Sequence, residues 1–237
     1  MIVQKFGGIA MQTASHREMC VQKVIDAVTE HSKTAVVLSA IGRSPDPYAT
    51  DSLLSLLPKK ESQTEASDLI SSCGELISIA IFQQLLEQKG IKCSLCYGNM
   101  IGIRTDNQFG QATVIQLEKE KLLEALEKVE CLIIAGFQGT TLEGKITTLG
   151  RGGSDLSAIY VAEMVNAQKV IFYKDVPGVL NKHGEMFDFL SYEQLEEICA
   201  CDKPIIHSKA TTLAKQWRIP LEITSFYEAK KGTIVEM

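Results

Sequence analysis

The sequence has little with which to hold nucleic acid or an anionic membrane by general charge. Its 24 Lys and Arg are outnumbered by 29 Asp and Glu, for a net charge of −5. Any phosphate must therefore be held by a local site rather than by the field of the whole chain. Aromatic residues are scarce at 6%, with a single Trp, and Pro numbers only six. No Pro-, Gly- or Ser-rich linker and no internal repeat interrupts the chain. The polar stretch PKKESQT at 58–64 reads as a connector within the fold. The longest apolar run, CLIIAGF at 131–137, falls far short of a membrane-spanning helix. No secretory signal is visible before the first glycines. Cys20, Cys73, Cys93, Cys96, Cys131, Cys199 and Cys201 are scattered and odd in number, which suits reduced thiols and a cytoplasmic location. Nucleotide signatures are missing too. There is no G-x-x-x-x-G-K-[ST], no third glycine to complete G-x-G-x-x-G, and no H-R-D or D-F-G pair.

What is present is ordinary globular material, 45% hydrophobic and 22% charged. A chain of 237 residues has room for one large domain or two small ones. Short apolar runs alternate with amphipathic stretches. Strands are expected at Ile2–Phe6, Thr34–Ala40, Lys92–Tyr97, Cys131–Phe137, Lys145–Leu149, Lys169–Val176, Leu221–Thr224 and Gly232–Val235. Helices are expected from Ser15 to about His31, with Ser15 and Glu18 as a capping box, and over Glu65–Lys89 with Gly90 closing it. Further helices are expected over Leu117–Lys128, from Ser154 or Asp155 to about Val165, near Ser191–Cys201 and over Ser208–Trp217. Strands alternating with helices of this length predict one continuous α/β domain with a mainly parallel sheet.

Two glycine clusters follow strands, Gly7-Gly8 and Gly150-Arg151-Gly152-Gly153-Ser154-Asp155. Glycine lets backbone approach a ligand, and N–H groups at a helix start attract anions. Lys5 beside the first cluster adds a point charge suited to phosphate. In an open parallel sheet, ligands bind at the carboxyl ends of the strands, where both clusters would lie. Other conspicuous residues read as structural. Cys93-x-x-Cys96 lies on an expected strand, whose i and i+3 positions face opposite sides, so it is not read as a metal or redox pair. Trp217 reads as a core anchor of the last helix, and no metal site is expected.

The ordered motifs resemble the catalytic unit of aspartate kinases, within the amino-acid kinase superfamily. Lys5-Phe6-Gly7-Gly8 looks like its opening K-F-G-G-T-S. Ser39-Ala40-Ile41-Gly42 with Pro47-Tyr48-Ala49-Thr50-Asp51 looks like S-A-M-G…T-D. Ser72-Cys73-Gly74-Glu75, Gly136-Phe137-Gln138-Gly139, the Thr148–Asp155 loop and Lys174-Asp175-Val176-Pro177-Gly178-Val179 match in the same order. Lys203 stands where that family has the Lys of G-A-K. The resemblance implies a three-layer α/β/α sandwich of the carbamate-kinase-like type. It also implies ATP with Mg²⁺, L-aspartate as acceptor and 4-phospho-L-aspartate as product, the first step toward lysine, threonine, methionine and diaminopimelate.

The resemblance also assigns roles. Lys5, Asp155 and Lys203 would be catalytic. ATP would be held by Lys5, Gly7, Gly8, Lys174, Asp175, Gly178, Lys182 and Lys203. The acceptor would be held by Ser39, Thr50, Glu75, Arg151, Gly152 and Ser154, with Arg151 on the α-carboxylate, Glu75 on the α-ammonium, and Ser39 and Thr50 on the side-chain carboxylate. His207 would stand near the nucleotide but serve the structure. Mg²⁺ would ride on the nucleotide phosphates. A homodimer through the kinase unit is compatible with the family. Lys231-Gly232-Thr233-Ile234-Val235 looks like the segment ending the family's catalytic unit, so a catalytic unit without ACT regulatory domains is expected.

Three departures stand out. Ile9-Ala10 replace the Thr-Ser after the glycines, Asn181-Lys182-His183-Gly184 replace T-x-D-P-R, and Gly98-Asn99-Met100 lacks the Gln of G-x-Q. They set against the active enzyme two alternatives. One is a weakened or inactive paralogue that binds nucleotide or amino acid as a regulator. The other is a kinase for a related acid such as glutamate or N-acetylglutamate.

Overall fold

The structure, a computed structural model, describes residues 1–58, 63–201, 204–228 and 230–237. Its centre is an eight-stranded sheet in the order β10-β12-β11-β9-β1-β2-β6-β3. The strands are β1 (Ile2–Phe6), β2 (Thr34–Leu38), β3 (Cys93–Cys96), β6 (Cys131–Ala135), β9 (Val170–Lys174), β10 (Phe189–Ser191), β11 (Leu221–Ser225) and β12 (Thr233–Glu236). All neighbours run parallel except β11 and β12. Strands β1, β2 and β6 are buried along their whole length; β2 and β6 are accordingly near-continuous apolar runs, while β1 also buries Gln4 and Lys5.

Alternate side chains feed two separate cores. Val3, Val37, Ile134 and Phe172 point to the side carrying α5 (Glu120–Glu127), α6 (Gly153–Met164), α7 (Tyr192–Cys199) and α8 (Ser208–Trp217). Phe6, Val36, Ile133 and Tyr173 point to the side carrying α2 (Ala14–His31) and α4 (Glu65–Gln88). The result is the expected three-layer α/β/α sandwich with a mainly parallel sheet. Each fully buried aliphatic or aromatic side chain in these layers contributes on the order of 1.5–3 kcal/mol. Cys93 packs with the α4 side and Cys96 with the α6 side, as strand alternation requires. Trp217 packs at the rim of the α6 core, edge-on to Tyr160.

By length and apolar composition, α4 could cross a bilayer. In this fold its Ile79, Phe82 and Leu86 pack on the sheet. Its Ser67, Asp68, Ser71, Ser72, Glu75 and Ser78 are buried on a polar side.

Several local expectations are corrected. A short helix α1 (Gly8–Gln12) follows β1 directly, and α2 is capped by the Thr13 hydroxyl accepting from the His16 N–H, not by Ser15. Leu117 ends a strand, β5 (Val114–Leu117), rather than opening a helix. Helix α6 starts from Gly152 in a left-handed conformation, with no side-chain cap, so Ser154 and Asp155 lie within its first turn. A second, four-stranded sheet, β5-β4-β7-β8, was not expected. It adds β4 (Ile103–Thr105), β7 (Gln138–Thr140) and β8 (Ile146–Thr148). Strand β8 falls within the strand expected at Lys145–Leu149, whereas β4, β5 and β7, of three or four residues, carry too little periodicity to be read from sequence.

Candidate active site

The first strand delivers Lys5 to the sheet's carboxyl end on the α6 side. Its ammonium lies 2.7 Å from Asp155 Oδ1, and Lys174 Nζ, at the end of β9, lies 3.8 Å from the same oxygen. The other oxygen, Oδ2, accepts from the His207 N–H at 3.2 Å. Burial alone would raise the Asp155 carboxyl. The charges of Lys174 and Lys5, the Lys5 hydrogen bond and the His207 N–H outweigh it and hold it down at about 2. Burial lowers Lys174 to about 8, reinforced by Lys5 and opposed by Asp155. Asp155 is thus a permanent anion that fixes two cations, not a proton acceptor.

Glu75 enters from α4 and is 2% exposed. Its Oε1 accepts from the Ala40 N–H at 3.0 Å, while its buried Oε2 has no partner. Burial pushes its carboxyl up to about 8, against the pull of the Ala40 N–H and Lys5. Gly74 makes the approach possible. A Cβ there would stand 2.7 Å from the Ala40 Cβ and 2.8 Å from the Tyr48 carbonyl.

The turn before α6 supplies the opposite wall. Gly150 and Gly152 take φ of 74° and 76°. A Cβ on Gly152 would run into the His207 ring, so both the dihedral and the packing demand glycine. Arg151, between them, is exposed toward the cleft.

Lys5, Gly8, Ser39, Thr50, Glu75, Arg151, Gly152, Ser154 and Asp155 all line one cleft of about 670 Å³. Gly7 lies just behind, where a Cβ would be 3.7 Å from Lys5 Nζ. Lys174 reaches the same centre through Asp155. Asp175, Gly178 and Lys182 do not line this cleft; they sit on the loop after β9. Gly178 is packed against Thr233 and Met186, and Asn181 caps a tight turn by accepting from the His183 and Glu185 N–H groups. Lys203 lies outside the described residues. Among the described residues no cluster of His, Cys, Asp or Glu has the makings of a metal site.

Sequence reasoning missed Asp68. It is 1% exposed, lines the cleft, and accepts from the Gly110 N–H (3.0 Å), the Thr148 N–H (2.7 Å) and the Thr148 hydroxyl (3.0 Å). Burial raises its carboxyl, opposed by these three donors. It ties α4 to the second sheet. Its signal was the polar stripe Asp68, Ser71, Ser72, Glu75, Ser78 at helical spacing in an otherwise apolar helix.

Comparison with known proteins bears on the family and the fold. The chain is 35% identical to aspartokinase 1 of Bacillus subtilis over 243 residues, covering 99% of this chain and 60% of that protein. It is 33% identical to the aspartokinase of Geobacillus stearothermophilus, covering 100% and 59%. The chain thus spans about 60% of the length of these relatives. Among solved structures, aspartate kinase from Synechocystis superposes with a TM-score of 0.83 at 29% identity, covering 100% of this chain and 40% of that one. Escherichia coli aspartokinase III, solved with aspartate and ADP, gives 0.80 at 22% identity, covering 100% and 64%, a likeness of fold. The model of the amino acid kinase family matches residues 1–225, a span holding every described wall of the cleft. The chain belongs to the amino acid kinase family.

Proposed function

We propose that this chain transfers the γ-phosphoryl group of MgATP to the side-chain carboxylate of L-aspartate, giving 4-phospho-L-aspartate and ADP. The observation that carries this reading is that a buried Glu75 oxygen and the Arg151 guanidinium, neither with a partner among the described residues, line the same cleft. A carboxylate and a guanidinium in one cleft suit the oppositely charged α-groups of a free amino acid. The likeness to proteins named aspartokinase supports aspartate as the acid.

In this reading one side-chain carboxylate oxygen attacks the γ-phosphorus while the bond to the β,γ-bridging oxygen breaks. No proton is transferred, so the protein's task is placement and charge. Lys5, steered by Asp155, faces the phosphoryl, with the Gly7-Gly8 backbone and Lys174 beside it. Ser39 and Thr50 hold the attacking carboxylate, and Gly152 and Ser154 close the site. Asp175, Gly178, Lys182 and Lys203 are assigned to the outer nucleotide. Mg²⁺ arrives with ATP as part of the substrate. Neither Ile9 nor Ala10 lines the cleft: Ile9 packs on the α2 core and Ala10 is buried in it. Loss of the two hydroxyls therefore takes nothing from the described walls.

The test is incubation with ATP, Mg²⁺, hydroxylamine and L-aspartate, with L-glutamate and N-acetylglutamate as parallel acceptors. Aspartate-dependent hydroxamate is expected. ATP binding without hydroxamate from any acid would favour a regulatory paralogue instead. Arg151→Ala is expected to raise the KM for aspartate far more than that for ATP, and equal effects would remove Arg151 from the acceptor.

A further inference from the structure

Part of the charge in the cleft, whose lining also includes the Asp51 and Glu75 carboxyls, is committed. Lys5 and Lys174 face Asp155, and Asp68 is satisfied by three donors. Two guanidinium groups line the cleft without a side-chain partner among the described residues: Arg151, already placed on the acceptor's α-carboxylate, and Arg43.

The backbone of Arg43 is fastened on both sides. The preceding Gly42 donates its N–H to the Gly8 carbonyl at 2.9 Å, tying the loop after β2 to the glycine turn after β1. The Arg43 N–H donates to Asp46 Oδ2 at 3.0 Å, and the Asp46 N–H returns to the Arg43 carbonyl at 2.8 Å. Asp46 Oδ2 also accepts from Gln12 Nε2 of α1 at 2.8 Å. The loop is latched, yet the Arg43 side chain is exposed. A fixed backbone presenting a guanidinium that makes no hydrogen bond among the described residues leaves all its donors available to a ligand in the cleft.

Its position decides what it meets. Arg43 lies on the loop running from Ser39 to the short helix that Thr50 opens (Thr50–Leu54), both residues being assigned to the acceptor's side-chain carboxylate, and that loop is bonded to Gly8, assigned to the phosphates. We propose that Arg43 spans this junction, donating to the attacking carboxylate and to an oxygen of the transferring phosphoryl. The inference rests on the aspartate-kinase reading. Its physical reason is that nucleophile and electrophile are both anionic and repel as they approach. A planar cation between them offsets that repulsion most strongly in the transition state, so its effect falls on kcat.

Wild type, Arg43→Ala and Arg43→Lys would be assayed for hydroxamate with aspartate and the two control acids. Arg43→Ala is expected to lower kcat about ten- to hundredfold, the scale of a charge-assisted hydrogen bond, with the KM for ATP within about twofold. Guanidinium chloride well below denaturing levels should restore part of the loss, and Arg43→Lys should retain an intermediate rate. A rise in the KM for ATP with kcat intact would overturn the proposal, as would an unchanged Arg43→Ala. A fall in kcat without guanidinium rescue, accompanied by a lowered Tm, would mark a structural role and also overturn it. A wild type silent with every acid would overturn the aspartate reading and this inference together. An active wild type with an indifferent Arg43→Ala would overturn this inference alone.

Discussion

Lys5 Nζ and Asp155 Oδ1 stand 2.7 Å apart with side chains 7% and 9% exposed, one at the end of the first strand and one in the first turn of α6. Residues 150 positions apart in the chain thus form one buried charge pair, with Lys174 on its flank.

Asp155→Asn leaves Lys5 and Lys174 facing each other without a counter-charge. Breaking a buried pair costs about 3–5 kcal/mol, so a clear drop in Tm is expected, with kcat reduced by at least about a hundredfold. The pH dependence has a definite sign. A carboxyl held at about 2 instead of 3.8 contributes stability that is present above 3.8 and lost as pH falls toward 2. Acid titration of unfolding should therefore be shallower in Asp155→Asn than in wild type below pH 3.8. Parallel curves would contradict the pairing.

Glu75 gives the opposite sign. Its folded value of about 8 lies above the ordinary 4.5, so its contribution is complete below pH 4.5 and is lost as pH rises through 8. Denaturant unfolding should show Glu75→Gln gaining on wild type over that interval. Ionised Glu75 is also the form that holds an ammonium. The KM for aspartate in wild type should fall as pH rises toward 8, and Glu75→Gln should raise it about ten- to hundredfold while sparing the KM for ATP.

Asp68 separates hydrogen bonding from charge. Asp68→Ala orphans two N–H groups and a hydroxyl, and at about 1–3 kcal/mol for each buried unsatisfied group should lower Tm strongly. Asp68→Asn keeps an oxygen for the Gly110 and Thr148 N–H groups and places an NH₂ on the Thr148 hydroxyl. Its Tm should stay much closer to wild type. Equal losses in both variants would show that charge, not the hydrogen-bond lattice, matters at Asp68.

Gly152→Ala tests the turn. The left-handed dihedral costs a non-glycine residue about 1–2 kcal/mol, and the new methyl must displace His207, whose N–H holds Asp155. Both Tm and kcat should fall. Gly144→Ala is the comparison, with φ of 86° and no atom within 4 Å of the added Cβ. It should lose stability from the dihedral alone and keep its rate.

Much of this was legible in one dimension. The apolar runs at β2 and β6 announce themselves because both faces of those strands are covered. The glycine clusters mark where the strands end. Lys5, Arg151 and Asp155 stand out because charged residues gathered on glycine turns have little structural reason to be there, whereas Glu75, within a helix, is marked only by the family resemblance. What stayed hidden has physical causes. The second sheet is built of short strands without a period. The α6 start is set by a left-handed glycine, which carries no side-chain signature, so Ser154 and Asp155 were read as caps. Asp68 lies in the first turn of α4, where the helix dipole favours any acidic residue, so its position alone carries no distinct signal.

The sequence by itself determined the layered α/β architecture and the inventory of charged groups, since periodicity and residue type are local properties. Only the tertiary structure decided how those groups are spent. Lys5 and Lys174 are committed to Asp155, Asp68 to the second sheet, and one Glu75 oxygen to Ala40, while among the described residues the other Glu75 oxygen, Arg43 and Arg151 are left open to the cleft. Pairing and burial arise from contacts between residues far apart in the chain, and they set which charges remain free to bind.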